Sequence, residues 1–408
     1  MEAYYVAGID VHKSMLAVVI SEVKPGECEF ERRHFGTTRS QLRELAEWLK
    51  ERNVQEVVME STAQYWRPVW IALEGWRRHL AHAHSNGARR GRKSDFRDAE
   101  RLVHRLVAGE LVLSYVPEDE QQGWRSLTRT RYQLVCDRAR VQSQIENLLE
   151  DAQIKLSSVI TDLLGVSGRR ILEALAEQQG PHDPRKLAEL GHPKLRASRE
   201  ELVEALDGRW LQRHGFLLRL HLERIRVLDS QIEQLGHHIA TAMQVCEQAV
   251  ARLSEVPGIR PESALQMLAE IGPTAEAFPS PEQLASWVGV CPGQHESGGQ
   301  SYSRRCARGN WQMRRLLNQA AHAASHTKNS SFQRLYRRLV ARIGPPKAIW
   351  AVAHRLCRLI WKILHQGVRY QEQGFLTDPK SIRRRQQKVK AEFRKLGLQV
   401  QFTPINPT

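Results

Sequence analysis

The sequence predicts an α/β front domain, a long helical middle and a mostly α-helical C-terminal part. Short apolar runs alternate with helical patterns up to about residue 115, and apolar residues recur every seven positions between 117 and 250. Beyond 253, Pro-Gly punctuation separates further helical patterns. At 408 residues the chain exceeds the length over which one core keeps growing, so several domains are expected. The boundaries fall at 1–115, 116–250, 251–345 and 346–408, the last holding a helix and a basic tail.

Residues 4–10 form an apolar run ending in Asp10, and 15–23 form a second, joined to the first by a hairpin. A third run at 28–37 leads to Thr38-Arg-Ser-Gln41, a capping-box spacing, and a helix carrying Leu42, Leu45, Ala46 and Leu49. Val54 to Met59 reads as a buried strand ending in Glu60, 64–76 as a helix and 79–84 as a short strand. Ser94 is placed to cap a helix from Asp95 to about Val107, with Asp95 and Asp98 in its first turn, where the macrodipole accepts negative charge.

Leu127, Leu134, Val141 and Leu148 then mark one long helix. Ile225, Ile232 and Ile239, with Leu228 and Leu235 between them, mark a second able to pair with it as a coiled coil. The stretch 165–210 is punctuated by Gly and Pro and reads as shorter helices and loops. Val256-Pro-Gly-Ile259 is a tight turn feeding a helix closed by Gly272. Its backbone N–H groups suit phosphate, although an ordinary helix start reads the same way.

Lys and Arg number 61 against 45 Asp and Glu, a formal charge of +16, which points to a polyanion, nucleic acid before membrane, or simply to a basic soluble surface. The start lacks a signal-peptide pattern and no stretch approaches 18 uninterrupted apolar residues, so a cytoplasmic protein without a membrane partner is expected. Six scattered cysteines with no C-x-x-C pair suggest neither a zinc ribbon nor a disulfide framework.

Four carboxylates stand out by placement: Asp10 and Glu60 at strand ends, and Asp95 and Asp98 on one helical face. Gathered at one edge they repel unless divalent cations neutralise them, which suits Mg2+ and nucleotidyl chemistry. Equally, Asp10 could cap a turn, Glu60 be a surface strand end, and Asp95 and Asp98 decorate a helix start. Arg89, Arg90, Arg92 and Lys93 would give such a pocket a basic rim.

Further on, Ser297 precedes two glycines and a basic segment with Arg304, Arg305 and Arg308, an arrangement that lets a phosphate backbone approach a hydroxyl, or else a flexible turn. The tail with Arg383, Arg384 and Arg385 suits phosphate contacts or a solvated run. His82 and His84 would share a strand face but lack partners at zinc spacing. Most of the ten tryptophans sit in core-like patterns, whereas Trp311 and Tyr302 lie in the basic serine segment and are the better base-stacking candidates.

Gly-Ile-Asp10-Val-His-Lys, Met-Glu60-Ser-Thr, Lys-Ser-Asp95-Phe-Arg-Asp98-Ala-Glu, Val-Pro-Gly-Ile and Glu-Ser297-Gly-Gly occur in an order that resembles the DEDD insertion-sequence transposases related to the Piv DNA invertase. The resemblance spans most of the chain and is weakest across 150–250. Arg260, where that family often has glycine, is a departure.

The resemblance implies an RNase H-like (RuvC-like) front domain with Asp10, Glu60, Asp95 and Asp98 holding Mg2+, or Mn2+, and Ser297 as nucleophile. It also implies donor and target DNA as substrates, a structured guide (bridge) RNA as partner, and a homo-oligomer, dimer or tetramer, with coiled-coil contacts. The nucleoid of a bacterial or archaeal cell would be its place of action. Two rival readings remain: a metal-dependent nuclease or junction resolvase that uses water, and a non-catalytic nucleic-acid-binding protein.

Overall fold

The computed structural model describes the chain apart from residues 1–2, 25–28, 61–62, 83–93, 293–294, 298–299, 304–305, 307, 373–386, 388–389, 392–393 and 395–408. It divides into two compact units, Met1–Pro117 and Glu118–Thr408. Among the described residues no helix is long and apolar enough to cross a membrane.

The first unit is a mixed sheet of β1 (Tyr5–Val11), β2 (Met15–Glu22), β3 (Glu31–Gly36), β4 (Val54–Glu60) and β5 (Arg77–Ala81), in the order β3-β2-β1-β4-β5. β1 runs antiparallel to β2 and parallel to β4, and β5 runs parallel to β4. From Val6 to Val11 the central strand is buried at every position, as a strand covered on both faces must be. One face carries Ala7, Ile9, Leu16 and Val57 under Leu45, Trp48 and Leu49 of α1 (Arg39–Glu51) and Val69 and Leu73 around α2 (Trp66–Ala72). The other packs Val6, Val19 and Val58 against Ala99, Leu102 and Val103 of α3 (Asp95–Val107). The period of two along β1 sends Asp10 to this second face, with Val6 and Gly8.

The capping box expected at Thr38 does not form. Thr38 is the N-cap, but its hydroxyl bonds the Gln41 side-chain oxygen at 2.9 Å instead of a backbone N–H. Helix α2 is also shorter than the 64–76 pattern, and β5 begins at Arg77 rather than His79. His82 follows β5 half-buried and within its own interactions.

In the second unit α4 (Asp119–Asp151) and α9 (Gln212–Ala242) lie side by side, each more than 30 residues long. Val141, Ile145, Leu149, Leu218, Leu222 and Ile225 supply their buried contact. The same core is completed by residues in and around α5 (Leu156–Val159), α6 (Val166–Glu177), α7 (Pro184–Ala188) and α8 (Arg199–Leu206). Of the heptad residues, Val141, Ile225 and Ile239 are buried, whereas Leu127, Leu134, Leu148, Leu228, Ile232 and Leu235 are half-buried. Asp229 of α9 accepts hydrogen bonds from Arg138 of α4 and Arg169 of α6, tying three helices together.

The remainder is α10 (Glu247–Ser254), α11 (Pro261–Ile271), α12 (Pro281–Val288), a hairpin of β6 (His295–Ser297) and β7 (Gln300–Ser303), α13 (Trp311–His326), α14 (Ser331–Ile343) and α15 (Pro345–His365). Five cysteines, Cys136, Cys246, Cys291, Cys306 and Cys357, are free thiols; Cys28 lies outside the described residues.

Gly8 sets the spacing of the first unit, because a Cβ there would stand 2.3 Å from the Ala99 carbonyl oxygen and 2.8 Å from Val103 Cγ2. Gly8→Ala therefore destabilises the protein by about 1–3 kcal/mol, since overpacking outweighs the roughly 0.4–1 kcal/mol gained from a stiffer unfolded chain. A lower urea midpoint checks this.

Burial alone would raise the Asp229 pKa, but hydrogen bonds from Arg169 and Arg138 outweigh it and hold the carboxyl below its usual 3.8. A depressed folded pKa contributes stability above the unfolded value, and that contribution is lost as pH falls through the folded one. Asp229→Asn is thus less stable than wild type at pH 7, with the gap closing once the pH drops below about 3.9. Paired urea melts across that range test it.

Candidate active site

β1 delivers Asp10 to the face covered by α3, and the first turn of α3 arrives there because Gly8 admits the Ala99 backbone. Ser94 is the N-cap of α3 with extended backbone and no side-chain capping bond, and the Asp98 N–H donates to the Ser94 carbonyl at 3.0 Å. Asp95 and Asp98 sit in the first turn, close to the positive end of the helix dipole.

Asp10 is 8 % exposed. Burial raises its pKa; the positive pull of His12 opposes this, and the negative charges of Asp98 and Asp95 add to the rise. His12 stands between two of the carboxylates, its Nε2 3.2 Å from Asp10 Oδ2 and 3.4 Å from Asp95 Oδ1. One donor atom from each of Asp10, His12 and Asp95 lies within 4.8 Å of the others. Ligands on one small divalent cation sit roughly 3–4 Å apart at bonds of about 2.1 Å, so a slight contraction closes the set. A buried carboxylate whose proton affinity is raised by two more acids also has the electrostatics that a cation relieves.

Asp98 bonds the guanidinium of Arg101 one turn along α3, while still acting on Asp10 electrostatically. Glu60 ends β4, opposite Ala81 of β5. Because Ile9 pairs with Met59 in parallel register, Asp10 and Glu60 stand one residue further on at the same end of neighbouring strands. The structure thus gathers Asp10 and Asp95 around His12, keeps Asp98 within electrostatic reach, and sets Glu60 at the same strand level. Sequence reasoning gave His12 no role, although it lies two residues after Asp10, the spacing that returns a strand side chain to the same face. Arg89, Arg90, Arg92, Lys93 and His84 lie outside the described residues.

Ser297 is the last residue of β6 and pairs with Gln300 of β7, so the segment read as a flexible turn contains a two-stranded hairpin. Its roots are close together. Gly289 ends α12 with φ of 78°, and a Cβ on Gly309 would lie 2.3 Å from the Val288 backbone. The Asn310 N–H donates to the Trp287 carbonyl at 3.2 Å, and Asn310 Oδ1 accepts from the Met313 N–H at 2.9 Å, capping α13.

Asn310 Nδ2 in turn donates to Glu270 Oε2 at 2.8 Å. Glu270, 2 % exposed at the end of α11, also receives both arms of Arg129 at 2.8 Å each, with Arg125 at 3.6 Å. This buried cluster went unforeseen, since nothing in the spacing of Arg125, Arg129, Glu270 and Asn310 marks them as neighbours. Arg308 is exposed beside the hairpin root; Arg304, Arg305, Arg383, Arg384 and Arg385 lie outside the described residues. In the Val256-Pro-Gly-Ile259 turn a Cβ on Gly258 would meet the Ala320 carbonyl at 2.4 Å, so packing against α13 accounts for that glycine.

The first unit thus carries an acidic pocket on a mixed sheet, and the second, helical unit carries the serine hairpin. A DEDD transposase model of the IS110 type matches residues 7–154, and the model described as "Transposase IS116/IS110/IS902 family" matches 250–337, together more than half of the chain. The chain belongs to this IS110/IS116 family of transposases.

A probable family 20 transposase of Pseudomonas aeruginosa is 27% identical over 322 residues, covering 77% of this chain and 85% of that one. The transposase for insertion sequence element IS1111A of Coxiella burnetii is 24% identical over 320 residues, covering 77% and 79%. Among solved structures, Thermus thermophilus RuvC is similar over 27% of this chain and 99% of its own, at 13% identity and a TM-score of 0.22. The architecture of the first unit rests on its own strand order, not on that likeness.

Asp10→Asn removes a buried anion from a cluster of like charges. It therefore raises the melting temperature in metal-free buffer, by roughly 2–8 °C per kcal/mol. Millimolar MgCl2 then stabilises wild type and leaves Asp10→Asn unmoved, which thermal melts with and without the salt check.

Proposed function

We propose that this transposase cleaves and rejoins donor and target DNA through a phosphoserine link at Ser297, assisted by Mg2+ held at the pocket of Asp10, Asp95, Asp98 and Glu60, with a structured guide RNA choosing the sites. Mn2+ is an alternative, since carboxylate oxygens suit both ions. The observation that carries the reading is the convergence of buried Asp10 with Asp95 and His12 at a strand end, in a chain of this family. A bound divalent cation there supplies charge stabilisation for a phosphodiester in transit.

The chain's own residues do the rest. Asp10 and Asp95 supply the fixed negative charge and His12 orients both carboxylates from between them. The Ser297 hydroxyl loses its proton as its Oγ bonds to phosphorus, one phosphate–sugar ester bond breaks, and the departing sugar oxygen takes up a proton. Religation runs the same exchange in reverse with a second strand, so the ester's energy is retained and no nucleotide cofactor is consumed. Arg308, with Arg304 and Arg305, offers charge to the phosphate. Net charge of +16 supports nucleic-acid binding. The half-buried apolar positions along α4 and α9 support helical contacts between copies of a homo-oligomer.

Covalent capture tests this reading with labelled donor and target DNA, the RNA encoded beside the gene, and Mg2+. Wild type forms a denaturation-resistant DNA–protein adduct, and Ser297→Ala and Asp10→Ala each lower its yield about a thousandfold or more. Cleavage without an adduct that persists in Ser297→Ala would instead assign the chemistry to water.

A further inference from the structure

Nine of the ten tryptophans are buried or half-buried, and Trp311 alone is exposed, at 58 %. An indole is costly to leave in water, and its neighbours show that this one is not a loose surface residue. It is the first residue of α13, directly after Asn310, which caps that helix and is itself tied to buried Glu270. The next two residues, Gln312 and Met313, are buried. The backbone carrying Trp311 is therefore fixed where the serine hairpin rejoins the helical unit.

Tyr132 of α4 packs beside the indole in a tilted pair, with ring centroids 5.8 Å apart and planes at 58°. Arg315, one turn beyond Trp311, places its guanidinium 3.8 Å from the centre of the Tyr132 ring. That guanidinium donates to the side-chain oxygens of Gln266 at 2.7 Å and Gln319 at 3.1 Å, neutral acceptors that hold it in position and leave its charge in place. The result is an exposed indole flanked by a second ring that carries a fixed cation, with exposed Arg308 three residues before it.

We propose that Trp311, backed by Tyr132 and Arg315, is a stacking platform for an unpaired nucleobase at the root of the serine hairpin. Every base has a π-face, so the platform accepts any sequence, but only a base outside a duplex stack can reach it. Flanking cations suit the phosphates on either side of that base. Exposed tryptophans also anchor protein interfaces, but the retained guanidinium charge and the +16 chain favour nucleic acid.

The inference rests on the nucleic-acid reading of the previous subsection, so the test separates the two. Full-length protein is titrated against a short labelled single strand and against a blunt duplex of the same length, with fluorescence anisotropy as readout. Trp311→Ala weakens single-strand binding about 5- to 150-fold, the equivalent of about 1–3 kcal/mol per stacked base. Trp311→Phe keeps part of the affinity, and duplex binding, its salt dependence and the melting temperature do not change. An unchanged single-strand affinity overturns the platform, as does an equal loss on duplex or a loss that accompanies a fall in oligomer mass. Wild-type binding to neither nucleic acid overturns the underlying reading as well.

Discussion

The approach of α3 to β1 at Gly8 is the contact on which the rest of the acidic pocket depends. A helix normally packs on a sheet through side chains, which hold the backbones apart. Here the Ala99 carbonyl occupies the space a Cβ would take, so the first turn of α3 is drawn onto the strand two residues before Asp10. Ala99, Leu102 and Val103 lock that placement by burial against Val6, Val19 and Val58. Asp95 and Asp98 lie one turn or less before Ala99, so the same packing that stabilises the unit forces three acids towards one another. The hydrophobic contact thus sets the electrostatic conflict at the site.

A comparable constraint governs the serine hairpin. Glu270 and Arg125 are both buried, and removing such charges from water costs several kcal/mol per ion before their attraction is counted. The two-armed contact from Arg129 and the Asn310 amide recover much of that cost, because both carboxylate oxygens find directed donors. An apolar cluster of the same volume would hold α4, α11 and α13 together equally well, but it would not fix the orientation of Asn310. That side chain both caps α13 and ends the excursion from Gly289 that carries Ser297, so directionality matters more here than net stability.

What the sequence made legible follows the reach of local rules. Strand runs and helix periods placed β1, β2, β4 and α3, and Asp10, Glu60, Asp95 and Asp98 were found because strand ends and helix starts are local features. Gly8 was visible as a residue, but its purpose was not, since the carbonyl it admits belongs to Ala99, some ninety positions on. His12 is within reach of the period-two rule, but a histidine just past a strand end carries no charge pattern that marks it. Glu270 was beyond reach for a different reason: its partners at 125, 129 and 310 come from two other helices, and a buried glutamate looks like any surface one until the chain is folded. The strands at 295–303 were hidden by glycines and serines, which are typical of loops.

A basic protein with an acidic pocket is not a contradiction, because the two charges act over different distances. At physiological ionic strength the field of an exposed arginine fades over about 8 Å, so a formal charge of +16 acts mainly on a polyanion already at the surface. Asp10 answers to its neighbours instead. Burial raises its proton affinity, and Asp98 and Asp95 raise it further against the pull of His12. Distant lysines and arginines cannot reverse that imbalance. On α3, Arg101 bonds Asp98. A charge at bonding distance, a proton or a metal ion, would compensate Asp10 more fully than His12 does. Of these, only a metal ion would leave the carboxylate ionised.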